Sequence, residues 1–140
     1  MQKICLDAGI LSLFFSKNVP PKVNLLMESI KTKKIECFIL KPVLCEVFFH
    51  ICQLRGRDEA NEKIISFIRK YTPNLVELDE SLILETGYLK CHHRTTLSYI
   101  DCMSIGFCLN EKLPFYTTEK NLKNIPNSLL SKLKVVKYNY

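Results

Sequence analysis

KICLDAGILSLFF, Lys3–Phe15, decides the fold. Lys3–Leu6 reads as a short buried strand that ends on a carboxylate, Asp7, and Ala8-Gly9 then opens a helical turn running to Phe15. The break follows at Asn18-Val19-Pro20-Pro21. A buried strand passing directly into a helix is the opening of an α/β unit, because parallel strands need a crossover of a dozen or more residues between them.

The same alternation continues outward. Helical spacing of Leu25, Leu26, Ser29 and Ile30 predicts a helix over Val23–Lys33, and the apolar, β-favouring run Ile35–Leu40 a second strand. Lys41-Pro42 then starts a helix to about Arg55, since proline suits a first helical turn where its missing N–H costs nothing. Further helices are expected at Asp58–Lys70, Asp79–Cys91 and Ser98–Asn110, with strands at Leu75–Leu78, Phe115–Thr117 and Lys134–Tyr138. Strands separated by helices imply an α/β class with a largely parallel sheet covered on both faces. The helical apolar stripes, including Phe48, Phe49, Ile64, Phe67 and Ile68, are assigned to the core.

Composition bounds the rest. With 140 residues, 47% of them hydrophobic, the chain has the size of one domain, read as 1–140 with no linker. Charged residues make up 24%, and only four Gly and six Pro occur, which excludes disordered and collagenous classes. The greasiest runs, Ile4–Phe15 and Val43–Cys52, are each broken by a carboxylate, so no membrane span and no secretory signal are expected, and a cytoplasmic address follows. Seven cysteines, none spaced C-x-x-C, argue for small buried hydrophobes in a reducing compartment rather than structural zinc or disulfides. The net charge of +6 suits a polyanionic partner such as RNA.

In an open parallel sheet, ligands bind outside the carboxyl ends of the strands. Asp7 follows the first strand, Glu46 lies in the early turns of the helix after the second, Asp101 is in the first turn of its helix, and Glu119 follows Phe115–Thr117. Four carboxylates gathered in one cleft repel each other, and a bound cation relieves the repulsion. Hard oxygen ligands in this number suit Mg²⁺ or Mn²⁺. Such an ion polarises a phosphoryl oxygen and acidifies an attacking water, which makes phosphodiester hydrolysis the matching chemistry.

Each acid also has a structural explanation. Asp7 suits a helix cap, Glu46 shares a helical polar stripe with His50, Gln53 and Arg57, Asp101 stands three residues after Ser98 in a capping-box pattern, and Glu119 sits at a helix start favoured by the dipole. Glu46 and His50 at i, i+4 have no partner motif that would make a zinc or iron site. His92-His93, between Lys90 and Arg94, reads as an exposed basic loop able to touch phosphate. No Gly-x-Ser-x-Gly, Walker loop or Gly-x-Gly-x-x-Gly occurs to support a nucleophile or nucleotide-binding reading.

ICLDAGILSLFF resembles the opening strand of PIN domains, FILKPVLCEVFFHI their second strand and acidic helix, LSYIDCMSIGFCL their third acid, and PFYTTEKNL their closing Thr-x-acid segment. The resemblance runs from Ile4 to Leu122 and rests on the ordered set of four. It implies a three-layer α/β/α sandwich around a mainly parallel sheet of four to five strands. It also implies a Mg²⁺- or Mn²⁺-dependent endoribonuclease acting on single-stranded or loop RNA, similar in length to VapC-type toxins, which form homodimers and are blocked by an antitoxin protein. By position, Asp7, Glu46 and Asp101 match the principal metal-binding acids, and Thr117 and Glu119 the Thr-x-Asp. Ser98, Lys90 and Arg94 are candidates for supporting or substrate-positioning roles. The chain departs from the pattern twice: Glu119 is one methylene longer than Asp, and Gly9 stands where a small hydroxyl residue is often found, removing a hydrogen bond to the first acid. These departures motivate an alternative, a catalytically weak PIN-like module that binds RNA or protein. A receiver-like phosphoacceptor domain lacks the acidic pair and late lysine it would need.

Overall fold

The computed structural model describes residues 1–138. The chain runs β1 (Gln2–Leu6), α1 (Ala8–Phe14), α2 (Pro21–Lys31), β2 (Ile35–Leu40), α3 (Lys41–Arg55), α4 (Arg57–Tyr71), β3 (Asn74–Val76), α5 (Glu80–His92), α6 (Tyr99–Glu111), β4 (Phe115–Thr118), α7 (Glu119–Leu122), α8 (Asn127–Leu130) and β5 (Val135–Tyr138). The expected elements are all present, with ends shifted by a residue or two where caps fray. The additions are α7 and α8, each four residues long and too short for a 3.6-residue periodicity to register.

All five strands pair in parallel, in the order β3-β2-β1-β4-β5. The chain walks outward from β1 to β3, then returns to the other side of β1 for β4 and β5. Right-handed crossovers therefore put the helices of the outward walk on one face and those of the return on the other. Accordingly α1 to α4 pack among themselves and α5 packs on α6, giving the three-layer α/β/α sandwich. Ile4, Leu6, Ile39, Leu40 and Phe115 from the central strands are wholly buried between the layers, as expected for strands covered on both faces.

Two sequence expectations need correction. Phe49 is 54% exposed, because a helix buries only one stripe and Val43, Val47 and Ile51 hold that stripe in α3. Cys5, Cys37, Cys102 and Cys108 are buried as expected, whereas Cys45 and Cys91 are exposed and Cys52 half-buried on the outer sides of α3 and α5; all seven are free thiols. No helix among the described residues is long and apolar enough to cross a membrane.

Candidate active site

The order of strands makes β1 and β4 the switch point, where crossovers leave in opposite directions and a crevice opens at the carboxyl ends. Register brings the two strand ends level: Leu6 pairs with Tyr116, and the Asp7 N–H donates to the Tyr116 carbonyl at 3.0 Å. Asp7 thereby faces Thr117, whose hydroxyl donates to Asp7 Oδ2 at 2.7 Å. Asp7 also caps α1, its Oδ1 accepting from Ala8 N–H at 2.7 Å. Cap and site residue are the same side chain.

Glu46 reaches the crevice from α3 and Asp101 from the first turn of α6. The latter is held by a complete capping box: Asp101 N–H donates to Ser98 Oγ at 3.1 Å, and Ser98 N–H to Asp101 Oδ2 at 3.4 Å. Asp7, Glu46, Ser98 and Asp101 line one pocket of about 560 Å³. A second groove, of about 530 Å³, contains a single carboxylate, Glu59, which pairs with Arg55 at 3.2 Å, so that groove offers no acidic cluster.

Asp7 is only 2% exposed. Burial pushes its carboxyl up to about 6 and the negative charge of Asp101 pushes the same way, while donation from Thr117, Asn121 and Ala8 holds it down. Glu46, half-buried, is also raised, first by burial; His50 opposes and Asp101 adds to the rise. Among the described residues, no three of His, Cys, Asp and Glu are placed closely enough to hold one ion without adjustment. The donor set still suits a hard divalent cation: it is all oxygen, and the negative charge on Asp101 disfavours ionisation of both other acids, a penalty that a cation would relieve.

The family model for the PIN domain matches residues 4–127. The chain belongs to the PIN domain family. Among solved structures, this PIN domain is similar to a chain of VapBC2 from Rickettsia felis bound to a promoter DNA fragment, with TM-score 0.74 and 16% identity over 98% of this chain and 99% of that one. DNA-bound VapBC from Salmonella typhimurium gives TM-score 0.70 and 17% identity over 98% of each chain. The Sarcin-Ricin-loop-cleaving toxin VapC20 of Mycobacterium tuberculosis gives TM-score 0.65 and 12% identity over 91% of this chain and 93% of that one. A comparison with curated protein sequences found no match.

Asn121 escaped the sequence reading. Its Nδ2 donates to Asp7 Oδ2, to Asp101 Oδ1 at 3.3 Å and to Thr117 Oγ1 at 3.4 Å, tying two carboxylates of this PIN domain together. The one signal in the sequence was Thr118 three residues before it: the Thr118 hydroxyl caps α7 by accepting from Asn121 N–H at 3.4 Å. Glu119, the fourth expected acid, opens the backbone of α7, but its side chain lies outside the described residues. Lys90 is turned elsewhere, donating to the carbonyls of Arg94 at 3.0 Å and Leu97 at 2.6 Å with its ammonium 5.2 Å from the Tyr99 ring centre. It steadies the loop before α6, and neither it nor the exposed Arg94 is among the residues lining the pocket.

Gly9 has a steric reason. A Cβ there would stand 2.8 Å from Thr118 Oγ1 and 2.9 Å from its Cγ2, so the side chain of Thr118 fills the space a serine would use. Gly9→Ala is expected to displace Thr118, release the α7 cap with Asn121, and cost roughly 1–3 kcal/mol in denaturant melts. A loss within error would mean that Thr118 moves without consequence.

Proposed function

We propose that this PIN domain, one domain over residues 1–140, is a Mg²⁺- or Mn²⁺-dependent endoribonuclease that cuts single-stranded or loop RNA with water as the nucleophile. The observation that carries this reading is the convergence of Asp7, Glu46 and Asp101, from three separate elements, on one pocket at the switch point of the sheet. Asp7, Glu46 and Asp101 would hold the ion, with Glu119 as the fourth acid carried over from the family pattern. A bound divalent ion supplies polarisation of the phosphoryl oxygen and acidification of the attacking water. The chain itself holds the acids in place through Thr117, Asn121 and the Ser98 cap. At the rim, Lys120 and Asn124 offer donors to phosphate oxygens. The net charge of +6 favours approach of the polyanion.

The proposal extends to a cytoplasmic toxin of a toxin–antitoxin pair, acting as a homodimer and blocked by an antitoxin protein over the acidic pocket. Its support is the likeness of fold to chains from the VapBC complexes and to VapC20. A second reading, an RNA- or protein-binding module without cleavage, is favoured by Asn121, whose amide already links Asp7 to Asp101 without an ion.

Thermal melts separate the two without knowledge of the substrate. A ligand that binds only the folded state, at a hundredfold excess over its Kd, stabilises by about 2.7 kcal/mol. Wild type is expected to gain several degrees with Mn²⁺ over EDTA, and Asp101→Asn little. Equal melts with and without Mn²⁺ would leave the binding module as the reading.

A further inference from the structure

The described residues lining the pocket include one imidazole, that of His50, one helical turn beyond Glu46 on α3. Its ring is exposed, yet its placement is specified: Nδ1 stands 3.2 Å from the hydroxyl of Ser12, which also lines the pocket, from the neighbouring helix α1. A serine inside a helix either returns its hydroxyl to a carbonyl of the preceding turn or points it to solvent. Among the described residues, the hydrogen bond of the Ser12 hydroxyl goes to His50 instead. The other face of this corner is Phe49, whose ring centre is 5.8 Å from that of His50 at an angle of 53°. An exposed polar side chain held from a second element loses rotamer freedom. A solvated helix face gains nothing from that, whereas a binding group does, because its ordering is completed before the ligand arrives.

We propose that His50, oriented by Ser12, is a substrate-contacting residue that donates a hydrogen bond from Nε2–H to a phosphate oxygen of a single-stranded RNA lying in the acidic pocket. With the Ser12 hydroxyl as the donor to Nδ1, the ring hydrogen stands on Nε2, which is then free to donate. The contact gives an otherwise acidic α3 wall a donor beside Glu46, where a polyanion would be repelled. This inference rests on the ribonuclease reading for its ligand and can fail independently of it.

The test is binding of a fluorescein-labelled, single-stranded oligoribonucleotide in the Asp101→Asn background, which keeps the strand uncut. His50→Ala is expected to weaken binding roughly tenfold, the size of one hydrogen bond to a charged group. His50→Gln, whose amide nitrogen can stand near the position of Nε2, should restore most of the affinity. Ser12→Ala should lie between. In the otherwise wild-type chain, His50→Ala should keep its Mn²⁺ stabilisation, showing that the acids are undisturbed. Binding by His50→Ala indistinguishable from the parent overturns the inference, as does a His50→Gln variant no better than His50→Ala, which would make the ring mere packing. Failure of Mn²⁺ to stabilise the wild type counts instead against the nuclease reading.

Discussion

Asp101→Asn is expected to reduce RNA cleavage in Mn²⁺ by roughly a thousandfold, since losing a ligand that positions a catalytic ion removes several kcal/mol of transition-state stabilisation. Asparagine is the informative replacement because it retains a carbonyl oxygen able to accept from Ser98 N–H, and the Ser98 hydroxyl remains free to cap the helix. Charge is lost while the start of α6 stays folded. Removing the charge also relieves the repulsion that Asp101 exerts on Asp7 and Glu46, so the variant should be at least as stable as wild type in EDTA. Cleavage of structured RNAs, compared at equal protein concentration, is the measurement. A variant cutting as fast as wild type would make Asp101 a helix cap and nothing more.

The second large effect concerns pH. Asp7 has its carboxyl pushed from 3.8 to about 6 by burial above all, so the native state binds its proton more tightly than the unfolded chain does. Stability from this group is therefore complete below the unfolded value and disappears as the pH rises through about 6. The difference corresponds to about 3 kcal/mol, or on the order of 10 °C in melting temperature for a chain of this size. In EDTA, melts should rise as the pH falls from neutrality towards about 4, the reverse of ordinary acid denaturation. Excess Mn²⁺ should flatten the slope by favouring the ionised form, and Asp7→Asn should remove it. A metal-free melting temperature that is level over this window would show that Asp7 is solvated in solution.

The agreement between sequence and structure is greatest where the signal is local. Pro42 in the first turn of α3, Ser98 followed by Asp101, and the apolar runs Ile4–Leu6 and Ile35–Leu40 each specify an element through its own few residues, and each element formed. Phe49 was misassigned because two adjacent aromatics satisfy a helical stripe equally well until a neighbouring layer covers one of them. Asn121 was missed because α7 is one turn long, and its three acceptors lie 114, 20 and 4 residues away along the chain.

By itself the sequence determined the kind and order of the elements and set Asp7 at a strand end and Glu46 and Asp101 near helix starts, because strand and helix periods and caps are properties of short segments. Tertiary structure alone decided that β4 lies beside β1. That pairing, between residues over a hundred positions apart, set Thr117 against Asp7, laid Asn121 across Asp7 and Asp101 and closed the space above Gly9 with Thr118, while the packing of α1 on α3 left Ser12 facing His50. Such contacts follow from the order of strands and the hand of their crossovers, which the packing of the whole chain selects.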